Sequence, residues 1–375
     1  MTISALGDIA ALQSKWCALE GTDQVSFFQS WDWIGSLLEA LPQTALPQVL
    51  EVRSGERCVG LGLLGHASAR RRKVIRTRTL HLNETGVADY DAITTEHNGL
   101  LAEPGFEQAV VDAAVHALGL REDWDELYLS GLLTDALAPW TRAAERSGLW
   151  QVLRGEHPHH AVDLTTIRGA GTGYLDALSA NTRYQIRRAM KRYATRGELV
   201  LQRASTIEEC EVWFGELLRL HQAYWQSRGQ PGAFASEPAQ RFHAALRARA
   251  WPRGTFELAR VTAGAQVLGY LYNFRKGTAL QNYQSGFAYE ADAKLKPGLV
   301  CHALAAEDAL QRGLARYDLL AGGGHYKQSL ANSTGNMVWA VLQKKRLLIG
   351  LENGLRQARD RWQAGRRLAP HPVPE

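Results

Sequence analysis

The sequence predicts an α/β protein built from two copies of one unit, each with a mixed central sheet flanked by helices. Three observations predict it. At 375 residues the chain exceeds what one ordinary hydrophobic core serves, so two domains are expected. The stretches EVRSGERCVGLGLL from Glu51 and RVTAGAQVLGYLYN from Arg260 align Val52 with Val261, Gly55 with Gly264 and Gly60 with Gly269. Each reads as strand, tight glycine turn and strand, the signature of a hairpin. Helical stretches at 29–41 and 208–228 precede the two hairpins, and a strand, a helix and a further strand follow each.

Composition narrows the class. Hydrophobic residues make up 45% and charged residues 22%, ordinary for a globular protein, and eleven Trp can furnish two substantial cores. The net charge of +5 is mild and points to an anionic ligand or surface without requiring one. Cys17, Cys58, Cys210 and Cys301 lie far apart, with no CxxC or Cys/His metal spacing, and read as small apolar residues of a reducing compartment. The N-terminal MTISALGDIAALQSKW carries Asp8 and lacks the cationic start and apolar run of a signal peptide. The run VGLGLLG is far shorter than the roughly 20 residues a membrane helix needs. A cytoplasmic location is expected.

The first unit is assigned to residues 1–160, the second to 161–350, and a basic amphipathic helix with a frayed tail to 351–375. The boundary falls in RGEHPHHAVDLTTIRGAGTG, 154–173, whose Gly, Pro and Thr content suits a connection. His157, His159 and His160 invite a metal reading, but no matching acidic or Cys cluster is evident, so a solvated loop and no metal are expected.

The chemistry concentrates in the second unit. In YLDALSANTRYQIRRAMKRYATRGE, Leu175, Leu178, Ile186, Met190 and Tyr193 form an apolar stripe, while Arg183, Arg187, Arg188, Lys191, Arg192 and Arg196 fill much of the rest. Like charges four apart repel by about 0.2–0.5 kcal/mol per pair, which an anionic partner would relieve. The strand TALQNYQSGF is polar where a mid-sheet strand should be apolar, so Gln281, Tyr283 and Gln284 are expected to line a cleft. The following helix begins with Pro297, which suits a first turn. Its start offers Lys294, Lys296 and the free backbone N–H groups near Gly298 and Leu299 as an anion site for a pyrophosphate. The helix leads to RYDLLAG, a strand parallel to the polar one by the crossover rule, and then to GGGHYK. That segment fits neither a P-loop nor GxGxxG, so Gly322 and Gly323 are read as a sharp turn leaving space for a ligand at the carboxyl end of the strand.

A strand pair, a polar strand, a helix with an anion-ready start and another strand resemble the GNAT acyltransferase fold. R-x3-I-R-R from Arg183, K-P-G-L from Lys296 and Y-D-L-L-A-G-x3-Y-K from Tyr317 to Lys327 resemble the CelD/BcsL-type acetyltransferase-like proteins, a group associated with exopolysaccharide and cellulose gene clusters. That group is similar in turn to the Fem-type aminoacyl transferases, which carry two GNAT-like units. The resemblance implies tandem GNAT-like units and an acyl-CoA co-substrate. KLKPGL departs from the Gln/Arg-x-x-Gly-x-Gly/Ala segment of ordinary GNAT enzymes: Pro297 removes one donor and a single glycine remains.

On this reading an amine, or less readily a hydroxyl, of a small-molecule or sugar acceptor attacks the acyl carbonyl. Backbone N–H groups where strands 281–287 and 317–321 splay would hold the oxyanion. Asp318 and His325 are the candidate bases, Tyr326 and Tyr283 the candidate acids, and Lys327 a phosphate ligand. Tyr224 and Trp225 could floor an acceptor pocket. Two other readings stand beside it. In one, an aminoacyl-tRNA is the donor and the basic stretches at 183–196, 69–78 and the C-terminus contact its phosphates. In the other, the protein only binds an anionic polymer. The first unit has WDELYLSGLL, Trp124–Leu133, but no following Lys, so it is expected to be structural and to complete the acceptor pocket across the interface.

Overall fold

The computed structural model describes residues 1–21, 25–71 and 75–354. Residues 72–74 of the basic run at 69–78, and 355–375 of the expected C-terminal helix and tail, lie outside them. The first half comprises β1 (Thr2–Ala5), α1 (Ile9–Leu19), α2 (Trp31–Ala40), β2 (Gln48–Ser54), β3 (Arg57–Arg71), β4 (Ile75–Leu82), α3 (Ala88–Asp91), β5 (Leu101–Ala102), α4 (Glu107–Gly119), β6 (Glu126–Leu133), α5 (Thr134–Arg146) and β7 (Trp150–Asp163). The second comprises α6 (Leu164–Gly169), α7 (Ala180–Ala194), β8 (Leu199–Arg203), α8 (Ile207–Gln226), α9 (Glu237–Ala250), β9 (Phe256–Ala263), β10 (Gln266–Lys276), β11 (Ala279–Phe287), α10 (Pro297–Gln311), β12 (Arg316–Ala321), α11 (His325–Leu330) and β13 (Ser333–Gln343).

The two expected hairpins are β2–β3 and β9–β10. Each has a two-residue turn whose first residue is a glycine with positive φ, Gly55 at 59° and Gly264 at 56°. That conformation is costly for any residue with a Cβ, which is why the glycines recur at matched positions. After each hairpin comes an antiparallel strand, a crossover helix and a parallel return: β4–α4–β6 in the first half, β11–α10–β12 in the second. Two copies of one unit follow from this order.

The copies share one mixed sheet, ordered β1-β2-β3-β4-β6-β13-β7-β12-β11-β10-β9-β8, with β5 beside β3. The final strands are exchanged: β7 follows the first unit in sequence but lies against β12, and β13 follows the second but lies against β6. The pair β7–β13 closes the middle over eleven registered positions. So 154–163, expected as a connecting loop, is central strand, and His159 and His160 are buried. Pro158 is tolerated there because its backbone faces the side where β12 has ended, and its carbonyl accepts from Gly322 N at 3.0 Å.

Apolar burial explains the layers. α4 and α5 cover the first half of one sheet face, and α6, α7 and α10 cover the second half. On the other face one aromatic core spans both halves. It joins Trp16, Phe27, Phe28, Trp31 and Trp33 to Phe242, Tyr272, Phe274 and Tyr283. Phe27 stacks on Phe274 with centroids 4.1 Å apart. The tryptophans thus weld the units together as well as filling each.

Candidate active site at the junction of the two units

The parallel strands β11 and β12 pair only at Ala279↔Arg316, Leu280↔Tyr317 and Gln281↔Asp318. Two irregularities then drive them apart. On β11 the register with β10 slips, so that Tyr283 has no opposite number between Asn273↔Asn282 and Tyr272↔Gln284. On β12 the register with β7 slips between Asp318 and Ala321, and Leu320 adopts φ 62°. A β-bulge and a non-glycine residue in the left-handed region both signal a strand being re-aimed. Among the described residues no strand pairs with β11 on its β12 side from Asn282 onward, so the splay expected from the polar strand is present.

Asp318 sits at the parting point, 1% exposed. His159 Nε2 lies 2.9 Å from Oδ1 and His97 Nε2 3.3 Å from Oδ2. Arg316 Nε donates to Oδ2 at 3.2 Å and Leu320 N to Oδ1 at 2.8 Å. Burial alone would raise this carboxyl, but the hydrogen bonds from His159 and His97 outweigh it and hold the pKa well below the ordinary value. Asp318 is therefore corrected from candidate base to the anchor of the β12 bulge. A carboxylate so satisfied does not accept a proton near neutrality.

Glu96, from the first half, lies at the same strand end. Its Oε2 accepts from Ala321 N at 2.7 Å, at the carboxyl end of β12. Burial pushes its carboxyl up to about 7, against the pull of the Ala321 N–H and of Lys327. Lys327 Nζ donates to Ala321 O at 2.6 Å, and burial lowers its pKa against the opposing attraction of Glu96 and Asp318. The lysine thus closes a local turn beside the carboxylate. Gly322, at φ 136°, lies beneath it, where a Cβ would stand 3.4 Å from Nζ. Gly323 is exposed with open space around it.

The other expected site residues separate. Tyr283 is buried in the aromatic core and its hydroxyl donates to Ile93 O, so it cannot reach a leaving group at a cleft wall. Gln281 is buried with Oε1 unpartnered, and Gln284 Oε1 accepts from His221 Nε2 at 3.1 Å. His325 is exposed at the start of α11. Tyr326, 42% exposed, lies over His302 of α10 with centroids 5.7 Å apart. Desolvation, with Tyr289 and Tyr224 nearby, pushes its phenol up to about 12, so it stays protonated at neutral pH. Tyr224 stacks on Tyr289 at 5.3 Å and packs edge-on to Trp225, forming an aromatic rim beside Tyr326.

Lys296 is the N-cap residue of α10 and Pro297 its first residue. The first intrahelical bond is Val300 N to Lys296 O, leaving the N–H groups of Gly298 and Leu299 without helical partners beside Lys294 and Lys296. On α7, Arg183 and Arg187 lie 3.6 and 3.3 Å from Asp176 and Arg192 pairs with Asp292, while Arg196, just past the helix, pairs with Glu290. Carboxylates of the chain itself thus relieve much of the expected repulsion. Arg183, Tyr184, Arg187, Arg188 and Lys191 still line a shallow depression of about 360 Å³.

The first unit repeats the splay and fills it. β4 and β6 pair at Thr79↔Glu126, Leu80↔Leu127 and His81↔Tyr128, then part. Asn98 bridges the gap: its N–H donates to Gly131 O at 3.0 Å and its Nδ2 to Leu82 O at 2.8 Å. Gly131, at φ 66°, has no room for a Cβ against Thr95 O. The segment that plugs this gap, 93–98, is the one that carries Glu96 and His97 to the second unit. Glu96, His97 and His159 were not singled out for catalysis in the sequence; only HPHH hinted at one of them. His97, His159 and Asp318 place ligand atoms within 4.8 Å of one another, a set able to hold a divalent cation. With Arg316 Nε and Leu320 N on the same carboxylate, the group stands as a hydrogen-bonded cluster.

Residues 180–328 match the family described as the acetyltransferase (GNAT) domain. No curated protein matches the chain in sequence. Among solved structures the chain is similar to FemX, at 10% identity and TM-score 0.60, over 94% of this chain and 99% of that one. It is similar to a C-terminal DUF2156 domain from Agrobacterium fabrum assigned as a lysylphosphatidylglycerol synthetase, at 12% identity and TM-score 0.55, over 90% and 92%. It is also similar to L-PGS from Bacillus licheniformis, at 10% identity and TM-score 0.52, over 93% and 95%. At these identities the likeness concerns the fold alone, a mixed α/β chain with a large sheet flanked by helices, within which residues 180–328 match the acetyltransferase (GNAT) domain description.

Proposed function

We propose that the protein transfers an acyl group from an acyl-CoA to an amine acceptor in the gap between β11 and β12. The observation that carries this reading is the parting of those strands after Gln281↔Asp318, with Glu96 bound to Ala321 N at its edge. The donor's phosphates lie at the start of α10, against the Gly298 and Leu299 N–H groups and the Lys294 and Lys296 side chains. Its thioester carbonyl lies in the gap, where unpaired backbone N–H groups of β11 stabilise the oxyanion. Glu96 takes the proton as the amine nitrogen bonds to the carbonyl carbon. The C–S bond then breaks and Tyr326 protonates the departing thiolate. The acceptor enters over the rim of Tyr224, Trp225 and Tyr289, whose faces suit a small molecule or a sugar ring; a role in exopolysaccharide or secondary-metabolite assembly fits such an acceptor.

A second reading, with aminoacyl-tRNA as donor, draws on the exposed cations along α7. Thermal shifts with acetyl-CoA, longer acyl-CoAs, CoA and tRNA at two salt concentrations separate the two. A ligand at a hundredfold excess over its Kd stabilises the native state by about 2.7 kcal/mol. Stabilisation by the thioesters supports acyl-CoA transfer. Stabilisation by tRNA alone, falling steeply with salt, replaces it with the second reading.

A further inference from the structure

The chain leaves β13 at Gln343 and enters a helical stretch described over 347–354. The proposed chemistry gives this stretch no task. Its root is fixed to the body. Ile349 is buried, and Gly350 backs onto Trp150, where a Cβ would come within 2.9 Å of the indole. Asn353 Nδ2 donates to Gln343 Oε1 at 2.8 Å, and Arg346 pairs with Asp125 at 3.0 Å.

Among the described residues nothing covers the opposite side. Leu347 is 90% exposed, Leu351 66% and Leu348 58%. At about 100° per residue these leucines fall within one sector about 100° wide. Leu347 and Leu351 also line an open depression of about 650 Å³ together with Trp150, Lys345 and Arg346. Leucines so close together form a contiguous patch, unlike the singly scattered apolar residues of an ordinary surface.

The sequence extends the same sector. Leu355, Ala358 and Trp362 continue the spacing of Leu348 and Leu351 at steps of four and three. Arg356, Arg359, Arg361, Arg366 and Arg367 stand among them, against Asp360 alone in 355–367. Five cations less one anion account for four of the chain's five net positive charges, so the rest of the chain is nearly neutral.

An apolar stripe set among arginines needs a partner that is apolar and anionic at once. A nucleic acid would satisfy the cations and leave the leucines in water. A second copy would cover the leucines and bring up another set of like charges. The headgroup boundary of an anionic bilayer serves both, with acyl chains for the leucines and the indole and phosphates for the guanidinium groups. No helix among the described residues is long and apolar enough to cross a membrane, so the contact is with the surface. We propose that the stretch from Leu347 onward is a membrane-surface anchor, with Leu347, Leu348 and Leu351 set into an anionic lipid bilayer and the arginines of 355–367 on its phosphates. The assignment does not depend on the identity of the acyl donor.

The test is flotation of the full-length protein with vesicles of equal parts phosphatidylglycerol and phosphatidylcholine, against phosphatidylcholine alone, at two salt concentrations. Partition onto the anionic vesicles is expected to be about tenfold stronger or more, and to weaken with salt. The pairs Leu348→Ser with Leu351→Ser, and Arg366→Gln with Arg367→Gln, are each expected to lower that partition about tenfold or more. Melting temperatures equal to the wild type's show that both variants fold. Absence of flotation with the anionic vesicles overturns the assignment, as does flotation that the folded leucine variant leaves unchanged. A dimer in sedimentation equilibrium that the leucine variant abolishes, without vesicle binding, overturns it in favour of a second copy. Retention of tRNA without vesicle binding overturns it in favour of a nucleic acid. All these outcomes leave the acyl-transfer reading standing.

Discussion

Replacing Glu96 by Gln should raise stability at alkaline pH while removing activity. The carboxyl moves from an ordinary 4.5 to about 7 on folding, chiefly through burial. A folded pKa above the unfolded one means that the native state holds the proton more tightly. The associated stabilisation is fully present below about 4.5 and is lost as pH rises through about 7. At about 1.4 kcal/mol per pKa unit, ionised Glu96 costs the folded protein about 3 kcal/mol by pH 8 and less than about 1 kcal/mol at pH 5. Gln keeps an oxygen for the Ala321 N–H and carries no charge. Guanidinium unfolding of wild type and Glu96→Gln at pH 5 and pH 8 reads the difference directly, without knowledge of the substrate. The expected result is a gain of about 3 kcal/mol at pH 8 that shrinks towards zero at pH 5. Acyl transfer should fall by about 10²–10⁴ in the variant, and the wild-type rate should rise with pH through about 7. Equal stability at both pH values would show that Glu96 is not a buried, raised carboxyl. Retained activity would show that it is not the base.

Other outcomes follow from the same geometry. Deleting residues 1–163 removes β7 from between β13 and β12, so the remainder should be unfolded or insoluble, as circular dichroism and solubility would show. A folded, active second half would contradict the shared sheet. Asp318→Ala orphans the buried His159 Nε2 and Leu320 N–H, at about 1–3 kcal/mol each, and should lower the melting temperature at neutral pH; an unchanged value would contradict the anchoring role. Tyr326→Phe should lower the rate of thiol release while leaving CoA affinity nearly unchanged, measured by single-turnover kinetics and calorimetry. Equal loss in both would make Tyr326 a binding residue.

Much of the fold was legible because its signals are local. Gly55 and Gly264 mark their turns by the positive φ they must adopt. The polarity of Gln281–Ser285 betrayed a strand that leaves its neighbour. The site was harder to read because it is assembled from distant segments. Glu96 reaches Ala321 and His97 reaches Asp318 only because the strands of the first unit splay around Asn98 and present the 93–98 segment to the second. His159 reads as a loop residue in the sequence because Gly155, Pro158 and its histidine neighbours look like a connection. The strand exchange that buries it leaves no local trace. Tyr283 is polar at one atom, and burial of its ring against the first unit decided its place.

The most direct test is a crystal structure of the protein with CoA or a non-hydrolysable acyl-CoA. The account predicts one ligand per chain, its phosphates at Gly298 and Leu299, its arm between β11 and β12, and its thioester end near Glu96, with Asn98 still bridging β4 and β6. A ligand lodged between β4 and β6, or one bound away from the β11–β12 gap, would contradict it.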